Sequence, residues 1–127
     1  MASEKIVVCD TNIIIEYFKE NISVIREMEN IGYENLAVSS VTVGEMYFGA
    51  LNKTELVKIK MRMDKFFSFH LDGKISELFI DLMYEHVLAH KLTLPDALIA
   101  STCIANDVEL YTLNTRDFKF ISKLKLY

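Results

Sequence analysis

The chain has 127 residues, 51% of them hydrophobic and 25% charged, with a formal net charge of −4. That length suits one domain with a real core over residues 1–127, and the acidic balance excludes the broad basic surface of a strong non-specific nucleic-acid binder. Apolar runs are broken by charge well short of a bilayer span, and Met1 to Lys5 shows no basic segment leading into a signal region, so a cytoplasmic protein without a membrane segment is expected.

Ile6-Val7-Val8-Cys9 reads as a buried strand that ends abruptly at Asp10-Thr11-Asn12, after which Ile13 to Phe18 reads as a helix. Asn21 or Ser23 caps a second helix carried by Val24, Ile25, Met28 and Ile31 and stopped by Gly32. Leu36 to Ser39 is a second strand, and Val41 to Leu51 a helix with Glu45 about one turn in. From Lys53 to Lys91 no strand signal is evident. Two helices are expected there, separated by Leu71-Asp72-Gly73. Phe66, Phe67 and Phe69, with Met61 and Met63, read as core in preference to a partner-binding face. Thr93-Leu94-Pro95-Asp96 starts a helix that is small and apolar nearly all round, and so should lie against the sheet. Val108 to Thr112 is the next strand, Asn114 to Phe118 a turn into a short helix, and Leu124 to Tyr127 a terminal strand. Strands alternating with helices imply an α/β fold, three layers with a short, mainly parallel sheet. Cys9 and Cys103 fall in apolar elements and are expected to be buried free thiols.

Each acid has a local explanation: Asp10 as a helix cap, Thr42 with Glu45 as a capping box, Asp96 and Asp117 as partners of helix dipoles. Together they fit a different one. Three follow a strand and the fourth starts the helix buried beside them, which places all four on one sheet edge, where open α/β folds bind ligands. Gathered carboxylates repel one another and resist desolvation, so a cation is needed. An oxygen-only donor set selects Mg²⁺, or Mn²⁺, over Zn²⁺, and phosphodiester hydrolysis is the natural chemistry. His86 and His90 are four apart on a helix, but the intervening Val87-Leu88-Ala89 lacks a glutamate, and they read as helix-surface histidines.

Asp10-Thr11-Asn12, Ser39-x-x-Thr42-x-x-Glu45, Asp96-Ala97-Leu98-Ile99-Ala100 and Thr112-x-Asn114-x-x-Asp117-Phe118, in that order, resemble the motif set of PIN-domain ribonucleases, and among them the VapC-type toxins of toxin–antitoxin modules. The resemblance implies a PIN-like three-layer α/β/α domain and an Mg²⁺-dependent endoribonuclease, with Asp10 and Asp96 as direct metal ligands and Glu45 and Asp117 completing the acidic pocket. Asn12, Thr112 and Asn114 would orient ligands or waters behind them. An antitoxin partner and a homodimer are implied as well; the helical middle, with Met61, Met63, Phe66, Phe67 and Phe69, is the segment against which apolar side chains of such a partner could dock. Leu113 departs from the pattern, because many relatives carry a basic residue there. Lys5, Lys91, Arg116, Lys119, Lys123 and Lys125 are the candidate sources of positive potential.

Two other readings compete. A PIN-like domain that binds without catalysis would keep the fold, but buried carboxylates without a role are costly. A phosphoacceptor signalling module would need adjacent acids after the first strand, where Asp10 has Cys9 and Thr11, and an acceptor aspartate later, where Leu36 to Ser40 ends in serines.

Overall fold

The computed structural model describes residues 5–127; Met1 to Glu4, on which part of the reading of the amino terminus rests, lie outside the described residues. Its elements are β1 (Val7–Cys9), α1 (Thr11–Phe18), α2 (Ile22–Ile31), β2 (Leu36–Ser39), α3 (Ser40–Phe48), α4 (Lys53–Met63), β3 (Phe67–Phe69), α5 (Gly73–His90), α6 (Leu94–Asn106) and β4 (Glu109–Tyr111). The strands form one parallel sheet in the order β3-β2-β1-β4.

Alternation along the strands builds the three layers. Val8 lies beside Ala37 on one side and Leu110 on the other. These three face a core filled by Ala97, Ala100 and Cys103 of α6, Leu82 of α5, and Phe118 and Ile121. Cys9, Leu36 and Val38 face the opposite way, onto Ile13 and Ile14 of α1, Val24 and Met28 of α2, Met46 of α3, and Ile59 and Met63 of α4. A one-residue slip would exchange the two sets, so burial on both faces pins the register. No helix among the described residues is long and apolar enough to cross a membrane.

Local chemistry explains most boundaries. The Asn21 carboxamide accepts from the Ser23 and Val24 N–H groups, and α2 ends at Gly32 with φ of +94°, where a Cβ would stand 2.7 Å from the Glu34 carboxylate. Thr93 caps α6 by accepting from the Asp96 N–H, with Pro95 in the first turn.

Four expectations are corrected. Phe67–Phe69 is a strand, pairing with β2 through Ala37 and Phe67, within the stretch expected to be all helix. It has no β-branched residue and only three positions, so its partner and not its own pattern makes it a strand. The aromatic and methionine group is not one core face: Met63 is buried, Phe66 and Phe69 pack at the edges of different cores, and Met61 and Phe67 are exposed. Leu124 to Tyr127 makes a single bridge, Leu126 beside Leu110. Thr42 and Glu45 form no capping box, because Ser39 caps α3 by accepting from the Val41 N–H.

Candidate active site

β1 lies inside the sheet, with β2 and β3 to one side and β4 to the other, so the topology reverses between β1 and β4. The crevice beyond the carboxyl ends of those two strands is where such sheets bind ligands. Asp10 follows β1 directly, and its N–H donates to the Tyr111 carbonyl at the end of β4, 2.9 Å away. Its side chain, 5% exposed, is held at both oxygens: the Thr11 N–H donates to Oδ1 and the Thr112 hydroxyl to Oδ2, each at 2.8 Å.

Behind Asp10 the β4 end is stitched to α1. The Asn12 carboxamide donates to Thr112 Oγ1 at 3.4 Å and accepts from the Leu113 N–H at 3.3 Å, while the Asn114 N–H donates to Thr112 Oγ1 at 3.0 Å. Thr112 spends its only proton on Asp10, so the hydroxyl is oriented by the donors that surround it. The structure thus brings the Asn12 and Thr112 side chains together beside Asp10, and Asn114 joins them through its backbone N–H.

The other three acids converge on this edge from different elements. Asp96 sits in the first turn of α6, Asp117 in a 3-10 turn of residues Thr115–Asp117 after β4, and Glu45 on α3. Burial and the negative charges of Glu45 and Asp117 push the Asp10 carboxyl above its ordinary range, against the hydrogen bonds from Thr112 and Thr11. Asp96 is pushed from 3.8 to about 6, first by burial and then by the charge of Asp10. Among the described residues no three Asp, Glu, His or Cys side chains stand close enough to enclose an ion together. The acids are a looser array than a protein-built cage.

Two grooves flank the array. One, of about 390 Å³, is lined by Asp96 and Asp117 together with Lys91, Arg116 and the His90–Phe120 pair. His90 stacks on Phe120 at 3.9 Å and His86 meets the same ring edge-on at 4.9 Å, so both histidines are engaged in packing. The other groove, of about 550 Å³, has an apolar floor of Ile15, Phe18, Met46 and Ile59, Glu45 in its wall, and Lys19, Lys58 and Arg62 along it. The Arg62 guanidinium lies 3.7 Å from the centre of the Phe18 ring. Of the basic residues expected near the pocket, Lys91, Arg116 and Lys119 border it. Lys5 and Lys125 instead pair with Glu109 and Asp107 near the amino end of β4, the opposite edge. Lys19, Lys58 and Arg62 are further basic residues that the fold brings to the Glu45 side of the array. Lys58 and Arg62 are four apart on one helix face, a spacing visible in the sequence but silent about which site it faces.

The donor set suits a hard divalent cation. It is all oxygen, Asp10 and Asp96 resist ionisation when no cation is present, and Mg²⁺ needs only one or two protein carboxylates because waters and substrate phosphate fill the remaining positions. Asp10 and Asp96 are the pair whose environment most calls for a cation. Without metal, folding favours protonated Asp96. That stabilisation is complete below its ordinary 3.8 and lost as pH rises through about 6. In EDTA the thermal midpoint is therefore expected to fall between about pH 4 and about pH 6.5 more steeply for the wild type than for Asp96→Asn. Parallel slopes for the two proteins would contradict the assignment.

Cys9 and Cys103 are buried free thiols whose pKa values burial pushes up, that of Cys9 to about 12, so neither is a nucleophile.

The fold recurs in known proteins. A toxin–antitoxin complex from Klebsiella pneumoniae contains a chain 30% identical, with TM-score 0.78 over 93% of this chain and 94% of that one. VapBC2 from Rickettsia felis, solved bound to a DNA fragment from its promoter, matches at 26% identity and TM-score 0.80, covering 96% and 97%. DNA-bound VapBC from Salmonella typhimurium shares the fold at TM-score 0.82 and 22% identity, covering 97% of each chain. A comparison with curated protein sequences returns no match. The family model of the PIN domain matches residues 7–124, a span that runs from the start of β1 to beyond the 3-10 turn and so takes in all four acids. The chain belongs to the PIN domain family.

Proposed function

We propose that the chain is a divalent-metal-dependent endoribonuclease, the toxin of a toxin–antitoxin pair, with Asp10, Glu45, Asp96 and Asp117 as its acidic pocket. The observation that carries this is Asp10: a buried carboxylate at the switch point of the sheet, fixed at both oxygens and surrounded by further acids. Asp10 and Asp96 would hold Mg²⁺, or Mn²⁺ in its place. When bound, the ion neutralises charge on the scissile phosphate and makes a water nucleophilic at neutral pH. The chain's own part is positioning. Thr112 and the Thr11 N–H keep Asp10 in one orientation, Asn12 holds the Thr112 loop, and Arg116, Lys91 and Lys119 draw in the phosphate backbone of RNA. Arg116 takes on the role that Leu113 leaves open.

The test begins with metal. Mn²⁺ titrated into the wild type is expected to bind, with about tenfold or greater loss of affinity in Asp96→Asn. Equal affinity in both proteins would contradict the ligand assignment.

An antitoxin fits the groove between α1, α3 and α4 better than the aromatic middle. Its floor is apolar and its wall includes Glu45, so a partner segment lying there reaches the acids it must block. Self-association is proposed along α5, where Ile80, Tyr84 and Leu88 are 64%, 89% and 93% exposed at helical spacing. Two such helices, antiparallel about Tyr84, set Ile80 against Leu88 of the second copy. A dimer in sedimentation is expected, with Tyr84→Glu monomeric; a wild type that stays monomeric contradicts this.

A further inference from the structure

Glu45 is tied to the rest of the site by two hydroxyls that neither the motif set nor the family match assigns a role. The Thr11 hydroxyl donates to Glu45 Oε1 at 2.7 Å and lies 2.9 Å from the Thr42 hydroxyl. Each hydroxyl has one proton to give, and a carboxylate has none. Thr11 gives its proton to Glu45, so the proton between the two threonines must come from Thr42. The chain of donors therefore has one direction, Thr42 to Thr11 to Glu45.

Thr42 is fully buried on α3, three residues before Glu45, so the two side chains share the helix face turned towards α1. A buried threonine in a helix commonly returns its proton to the carbonyl four residues back. Thr102 in α6 does so, donating to the Leu98 carbonyl at 2.8 Å. Thr42, in the first turn of α3, has Val38 of β2 four residues back and no helical carbonyl to take its proton, and it bonds across 31 residues of sequence to α1. Thr11 also gives its backbone N–H to Asp10 Oδ1. One residue thus holds acids from two separate elements, and Thr42 in turn holds that residue.

We propose that Thr42 and Thr11 are positioning residues, a directed hydroxyl relay that fixes the Glu45 carboxylate relative to Asp10. The kinetic part of this inference rests on the ribonuclease reading; the structural part does not. Thr42→Val keeps the shape and removes the proton, whereas Thr42→Ser keeps the proton. Under the relay, Thr42→Val lowers kcat for RNA cleavage about tenfold with KM little changed, and Thr42→Ser restores most of it. In a Glu45→Ala background, Thr42→Val has little further effect, because the hydroxyl chain then has no carboxylate at its end, and the Thr11 N–H holds Asp10 without it. Equal losses in both backgrounds, or a serine variant as poor as the valine one, overturn the relay and leave Thr42 as a packing residue. If the wild type cuts no RNA, the ribonuclease reading falls and crystal structures decide the relay. Glu45 is expected in one conformer in the wild type and in several, or displaced, in Thr42→Val. An unchanged Glu45 overturns the proposal.

Discussion

Replacing Asp10 by asparagine is expected to reduce metal-dependent RNA cleavage by about a thousandfold or more, equivalent to roughly 4 kcal/mol of transition-state stabilisation. The substitution preserves shape. Asparagine Oδ1 can still accept from the Thr11 N–H, while its amide faces Thr112 Oγ1, which already accepts from Asn12 and Asn114, so the long Asn12 bond must give way for the amide to donate there. What disappears is the negative charge. Because burial and the neighbouring acids already raise the Asp10 pKa, the metal-free variant should be more stable than the wild type near neutral pH. Activity and stability then move in opposite directions, which loss of folding cannot produce. Cleavage within about threefold of wild type, with Mn²⁺ binding intact, would remove Asp10 from the centre of the account.

Phe118→Ala is expected to cost about 3–5 kcal/mol, a large part of the roughly 5–15 kcal/mol that holds a domain of this size together. Phe118 is among the largest fully buried side chains and packs in the core that also contains Val8 and Leu110 of the sheet. It immediately follows Asp117, and its N–H closes the 3-10 turn on the Thr115 carbonyl at 3.0 Å. The same ring therefore stabilises the fold and seats one of the acids. Urea unfolding is the measurement, with Phe67→Ala as the contrast: Phe67 is mostly exposed on the edge strand, and its truncation should cost about 1 kcal/mol or less. Similar losses for the two variants would mean that the 3-10 turn is not anchored as described.

These effects trace to residues of unequal legibility. Leu36 to Ser39 is readable as a strand because it is buried on both faces, which makes it a continuous apolar run bounded by turn residues. The helices α1, α2 and α6 announce themselves through Asp10, Asn21 and Thr93, whose side chains cap them. Phe67–Phe69 is not readable, since its strand character is conferred by pairing with β2, almost thirty residues earlier in the chain. The acids are visible because three of them follow strands, a position that depends only on local order. Asp10 does cap α1, as its simplest explanation has it, and it also accepts from Thr112; the local role and the site role coexist in its two oxygens. Thr42 misleads for the converse reason. Its spacing to Glu45 spells a local capping box, but the hydroxyl finds Thr11 across the fold. Lys19, Lys58 and Arg62 were invisible as site residues because only the packing of α1 against α3 and α4 brings them beside Glu45.

The most direct test of the acidic pocket is cleavage of end-labelled RNAs, structured tRNA included, alongside DNA strands of the same sequences. The purified chain would be assayed with Mg²⁺, with EDTA, and as Asp96→Asn. The account predicts internal cuts in RNA that require the metal and vanish in the variant, with the DNA left intact. Cutting that survives both EDTA and Asp96→Asn would contradict it, as would a wild type that binds Mn²⁺ yet leaves every RNA whole.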